Sequence, residues 1–99
     1  MTTIKCQSLQ EIRDNIDRLD SLIVPLLAER LDYVGQAASF KKTRADVVVP
    51  ERIEFIVQKV RAQAALLGSD PDVFERVFRA IMDNYIAYED KRWAALHQL

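Results

Sequence analysis

Apolar side chains at Leu9, Ile12, Ile16, Leu19, Ile23 and Leu26 recur in alternating steps of three and four. That spacing returns each of them to one face of an α-helix, and it is the strongest periodic signal in the chain. Continuing the rhythm gives Arg30, Val34, Ala37 and Lys41, so two cations stand where apolar residues are called for. A helix from Leu9 to about Lys42 would place Arg30 and Lys41 on the same face, about three turns apart. Burying a cation is costly unless something anionic meets it, so the pattern predicts a negatively charged guest. The plainer alternative is an amphipathic helix whose arginines snorkel or pair with acids such as Asp17 and Glu29.

Pro25 lies inside this segment, where it removes a helical hydrogen bond and crowds the preceding turn, at a cost of about 3 kcal/mol. Ile23, Leu26 and Arg30 nevertheless stay in phase across it. The expectation is therefore a kink, not an end. Some 33 helical residues would span roughly 50 Å. A compact domain of this size has a radius of gyration of about 13 Å, so the apolar stripe would be left wet in a monomer. A homodimer with intertwined protomers would cover it.

Low glycine and proline content and 49% apolar residues in 99 positions fit one all-α domain, residues 1–99, of three helices with a long first one. No run reaches the roughly 18 apolar residues of a membrane span. The amino terminus, MTTIKCQSLQ, lacks a hydrophobic signal core, so a cytoplasmic location and no membrane partner are expected. Cys6 is the one cysteine and His97 the one histidine, so neither a disulfide nor a metal site is expected. A net charge of −1 gives no pull toward nucleic acid. Lys41, Lys42 and Arg44 lack the interleaved aromatics of a nucleic-acid patch.

The remaining chain carries clear punctuation. Ser8 with Glu11 three residues later reads as a capping box for the first helix. Residues 43–49, with three consecutive valines, form the connection, since no second strand exists for them to pair with. Pro50 and Glu51 suit the opening turn of a second helix, Pro50 to Gly68. Its buried stripe would be Ile53, Ile56, Val57, Val60, Ala64 and Leu67, with Gly68 as the C-terminal cap. Ser69 or Asp70 caps a third helix that opens on Pro71 and carries Val73, Phe74, Val77, Phe78, Ile81, Met82, Tyr85, Ile86 and Trp93.

The segments IRDNIDRLDSLIVPLLAERLDYVGQAASFK, PERIEFI and FRAIMDNYIAYEDKRW together resemble the three helices of the all-helical chorismate mutase family. The joint spacing of Arg13, Arg30, Lys41, Glu51-Arg52 and Glu89 carries the likeness. Within that family, DYVGQAASFK, the short connection into PER, and YIAYE followed by Trp93 are most similar to the isochorismate-pyruvate lyases, which make salicylate for siderophores. The resemblance implies an intertwined homodimer with two active sites inside the helical bundle, each taking chorismate or isochorismate and needing no cofactor or metal. Arg13 would reach from the partner subunit to one substrate carboxylate, and Arg30 would fork onto a carboxylate of the same substrate. Lys41 would sit at the ether oxygen that gains charge as its bond to carbon breaks, and Glu89 would hydrogen-bond that oxygen. Glu51 is carried over as a substrate-binding position. Val34, Ile53, Val57, Tyr85 and Ile86 are candidates for an apolar wall that compacts the substrate, and each fits an ordinary core position equally well.

Such chemistry is pericyclic. It needs a compact reactive conformer and stabilised charge separation, which agrees with a chain that offers no nucleophile set and no phosphate loop. The family's mutases carry an acidic residue a few positions before the Glu-Arg pair, where this chain has Val47 to Val49, and often arginine where it has Pro50. Those differences favour the lyase over the dedicated mutase. Many members place Gln where Glu89 stands, and a carboxyl can donate to an ether oxygen only when protonated. Activity should therefore fall as pH rises through the Glu89 titration. The alternatives are a chorismate mutase, a relative acting on an amino analogue of chorismate, or a non-catalytic helical dimerisation module.

Overall fold

A computed structural model describes residues 3–98. The helices are α1 (Leu9–Ala37), α2 (Pro50–Leu66) and α3 (Pro71–Leu96), with short 3-10 turns at Ala38–Phe40 and Arg44–Val47 between α1 and α2. No strand occurs among the described residues, so the all-α class stands and Val47–Val49 do not pair as a sheet. No helix is long and apolar enough to cross a membrane. The chain divides within α1 into two compact units, one up to Tyr33 and one from Val34 onward.

In the first unit, Ser8 Oγ accepts a hydrogen bond from the Glu11 N–H at 3.1 Å, as a capping serine should. The Glu11 carboxylate reaches back one residue further than a standard capping box and accepts from the Gln7 N–H at 3.0 Å. α1 continues through Pro25 as one helix, as its unbroken apolar phase requires. None of its residues is buried. Ile16 is 51% exposed and Leu26 67%, so the stripe that defines this helix is exposed among the described residues.

The predicted carboxyl end of the first helix is corrected. α1 stops at Ala37, five residues short of the expected boundary, and the chain tightens into the Ala38–Phe40 turn. The Ser39 hydroxyl donates to the Gln36 carbonyl at 2.8 Å, giving that end of the helix a local alternative to the α ladder. Lys41 then adopts an extended conformation (φ −89°, ψ 126°). It does not lie on the helix, and the shared helical face predicted for Arg30 and Lys41 does not exist.

In the second unit α2 packs on α3, and both short turns pack on α3. Val57, Val60 and Ala64 of α2, at steps of three and four, are buried with Met82 of α3, Ala38 and Val47. Ile53 and Ile56 flank this stripe half-buried. Leu67, expected to extend it, is exposed instead, because α2 has ended by then. Gly68 has φ +70°. The Ser69 N–H bonds the Ala64 carbonyl at 2.9 Å and the Gly68 N–H bonds Ala65 at 3.0 Å, the Schellman arrangement that only a left-handed residue completes at low cost. Asp70 caps α3 by accepting from the Asp72 N–H at 2.9 Å. A chain of ion pairs joins α2 to α3, with Arg61 on Asp72 and Glu75, and Arg79 on Glu75 and Glu54.

Candidate active site

The chemistry-bearing residues that the structure brings together lie where the two short turns meet the last third of α3. Glu89 is the single charged residue of the buried set among the described residues, at 7% exposure. Its Oε2 has no hydrogen-bond partner there. Lys41 Nζ stands 3.8 Å from that oxygen. This is an ion-pair distance, too long for a hydrogen bond. Removing a carboxylate from water disfavours its charged form, so burial pushes the Glu89 carboxyl above its ordinary range, and the Lys41 ammonium offsets only part of that rise.

Lys41 is held at both ends. Its Nζ donates to the Asp46 carbonyl at 3.1 Å. Its own carbonyl accepts from the Trp93 indole N–H at 2.9 Å. Trp93 lies four residues beyond Glu89, one turn along α3 and so on the same side of the helix. The turn that carries Asp46 is closed on itself: the Thr43 N–H donates to Asp46 Oδ2 at 3.1 Å, and the Asp46 N–H donates to the Thr43 carbonyl at 3.1 Å. Arg44 forks onto Asp90, with Nε and Nη2 each 2.7 Å from a carboxylate oxygen. That bond holds the Asp90 carboxyl below its usual range.

The other predicted positions lie on α1, α2 and α3. Val57 is fully buried in the α2–α3 core, while Ile53, Tyr85 and Ile86 are half-buried on the same two helices. Val34 is half-buried on the last turn of α1. Glu51 is exposed in the first turn of α2. Arg13 is exposed and Arg30 half-buried on α1, both within the first unit. Sequence reasoning missed the anchoring parts of Asp46 and Trp93. The Thr-x-x-Asp pattern of residues 43–46 was the available signal for the closed turn; a hydrogen bond across 52 residues left none.

A carboxyl that keeps its proton beside an ammonium can serve an oxygen that becomes negative. The carboxyl donates a hydrogen bond and the ammonium stabilises the charge. That pairing suits cleavage of a carbon–oxygen bond without a nucleophile. Residues 12–90, a span that contains Arg13, Arg30, Lys41, Glu51 and Glu89, match the family model for chorismate mutase type II. The chain belongs to the type II chorismate mutase family. Among the relatives of this chorismate mutase family member is an isochorismate pyruvate lyase of Pseudomonas aeruginosa, 38% identical over 88 residues that cover 89% of this chain and 87% of that one. The T-proteins of Enterobacter agglomerans and Haemophilus influenzae are 34% and 31% identical. The aligned regions are 24% and 23% of those longer chains. Family and relatives together make the protein an enzyme of the chorismate mutase type.

Proposed function

We propose that the protein is an isochorismate-pyruvate lyase, producing salicylate and pyruvate, with conversion of chorismate to prephenate as a side activity. The observation that carries this reading is the buried Glu89 carboxyl, with Oε2 unpartnered among the described residues and 3.8 Å from Lys41 Nζ. In the reaction the ether bond between ring and enolpyruvyl group breaks while a ring hydrogen moves to the enolpyruvyl methylene. The ring becomes aromatic as salicylate, and the side chain leaves as pyruvate. Lys41 and protonated Glu89 meet the charge that grows on the ether oxygen, and neither forms a covalent bond.

Arg13 and Arg30 take the two carboxylates, since a guanidinium binds a carboxylate through two parallel bonds and an ammonium does not. Glu51 contributes to substrate binding. Val34, Ile53, Val57, Tyr85 and Ile86 compact the substrate and keep water out. Two features favour the lyase over the mutase. The likeness to the Pseudomonas aeruginosa lyase runs over most of both chains. Val47 to Val49 and Pro50 also supply no side chain that would hold a ring hydroxyl. The exposed apolar stripe of α1 supports a homodimer, in which a second copy covers it. A cytoplasmic enzyme supplying salicylate for siderophores completes the proposal.

The test gives the purified protein isochorismate and chorismate in parallel and follows salicylate fluorescence and prephenate. Salicylate well above the uncatalysed rate supports the lyase. Prephenate alone makes the protein a mutase. Neither product leaves an amino analogue of chorismate or a dimerisation module.

A further inference from the structure

The Lys41 ammonium is placed by backbone, not by helical phase. Lys41 is extended, beyond the end of α1, and its carbonyl accepts a long-range hydrogen bond from the Trp93 indole at 2.9 Å. The indole is backed in turn by the His97 ring, stacked at 4.0 Å between centroids with 18° between planes. His97 Nδ1 lies 2.9 Å from the Trp93 carbonyl, which fixes that ring over the indole. Trp93 and Glu89 share one side of α3, so one helix carries both the buried carboxyl and the donor that anchors its cationic neighbour.

We propose that Trp93 is a positioning residue: its indole N–H, bonded to the Lys41 carbonyl, sets the bearing of the Lys41 ammonium toward Glu89. The consequence for the reaction rests on the lyase reading above, while the consequence for Glu89 does not. Without the indole donor the Lys41 backbone loses its own bond to α3, and Arg44 on Asp90 and the Asp46 carbonyl on Nζ are left to hold the turn, so the ammonium is less tightly confined near Oε2. Of the charged groups around Glu89, Lys41 comes from the turn and acts on it directly. Arg44 and Asp90 beside it are engaged with each other, and His97 lies beyond the indole. No charged side chain of α2 acts on Glu89 among the described residues.

The experiment replaces Trp93 with 3-benzothienylalanine, a sulfur isostere that keeps the ring shape and lacks the N–H. Trp93→Phe serves as a second variant, with Lys41→Met and Glu89→Gln as references. The Glu89 carboxyl is followed by carbon NMR in glutamate-labelled protein without substrate, its signal identified by its loss in Glu89→Gln. Losing Lys41 removes a charge that lowers the Glu89 pKa, so the midpoint should rise in Lys41→Met and rise by no more than that in the Trp93 variants. Combining either Trp93 change with Lys41→Met should then add nothing further. An unchanged midpoint in the isostere, or a shift that adds to that of Lys41→Met, overturns the proposal. With isochorismate, kcat should fall about ten-fold or more with KM little changed, and the alkaline limb of the rate profile should move to higher pH. A fall in kcat with the limb unmoved would mean that Trp93 acts through general packing, which also overturns it. Failure of the wild-type protein to turn over isochorismate would sink the lyase reading and leave the NMR result to decide the positioning role.

Discussion

Glu89 holds its proton above the ordinary carboxylate range even with the Lys41 ammonium 3.8 Å from its Oε2. Burial disfavours the anion by more than one ammonium, without a hydrogen bond, restores. In the proposed reaction the proton is what matters, since only the neutral acid donates to an ether oxygen. Turnover should therefore be highest on the acid side and decline as pH rises through the raised Glu89 value. Glu89→Gln, whose amide donates at every pH, should flatten that decline. Rate profiles of the two proteins on isochorismate check this, and parallel profiles would exclude Glu89 as the donor.

The same group makes folding stability depend on pH in a defined direction. Its folded value lies above its ordinary value of 4.5. Below that ordinary value both folded and unfolded chains are protonated there, and the group's contribution is fully present. As pH rises the unfolded chain ionises first, so stability is lost until the folded carboxyl has also titrated. Urea unfolding from roughly pH 4 to 8 should show the native protein losing ground to Glu89→Gln over that window. A constant difference would contradict the raised value.

On the proposed reading, Arg30→Ala should remove a carboxylate clamp and leave the proposed dimer intact. Losing one half of a desolvated charge pair costs several kcal/mol, so kcat/KM should fall by roughly 10²–10³-fold or more. Kinetics paired with sedimentation check both halves of the expectation. Unaltered turnover would favour the structural reading of that arginine.

The two glycines should respond oppositely to a methyl group. Gly68 at φ +70° has open space around it, so Gly68→Ala meets backbone strain alone and should cost on the order of 1 kcal/mol. At Gly35 a Cβ would sit 3.4 Å from Tyr88 Cε1, an ordinary contact, on a helical backbone. Gly35→Ala should be neutral or stabilising by up to about 1 kcal/mol. Chemical denaturation of both variants gives the two signs directly.

Pro25 stands mid-helix, where its ring and missing N–H work against the fold. Pro25→Ala should stabilise α1 by on the order of 1–3 kcal/mol. A higher unfolding midpoint with unchanged helix content by circular dichroism is the expected result.

What was legible in the residues was local. Ser8 with Glu11, Gly68, and Asp70 before Pro71 mark helix ends because each satisfies backbone groups within a turn of itself. Val57, Val60 and Ala64 show the core face of α2 by spacing alone. The end of α1 was not legible: the apolar phase runs on through Ala37 to Lys41, whereas the Ser39 hydroxyl and the Trp93 indole, one local and one distant, draw the chain out of the helix. Phase placed Lys41 on a helical face where it does not lie. The family resemblance implied a common role for Lys41 and Glu89 across 48 residues of sequence, and the structure places Lys41 Nζ 3.8 Å from Glu89 Oε2, a proximity that spacing alone could not give.

With Lys41 beyond the helix, its bearing is insulated from register upstream. Inserting one residue into an α-helix turns every later side chain by about 100° around the axis. Such an error in α1 would re-aim Arg30 if placed before it. Lys41 takes its orientation from the Trp93 indole and the closed Thr43–Asp46 turn, so the frame that matters to its ammonium is that of α3. Drift in the first helix and drift at the Lys41–Glu89 pair can thus be selected separately.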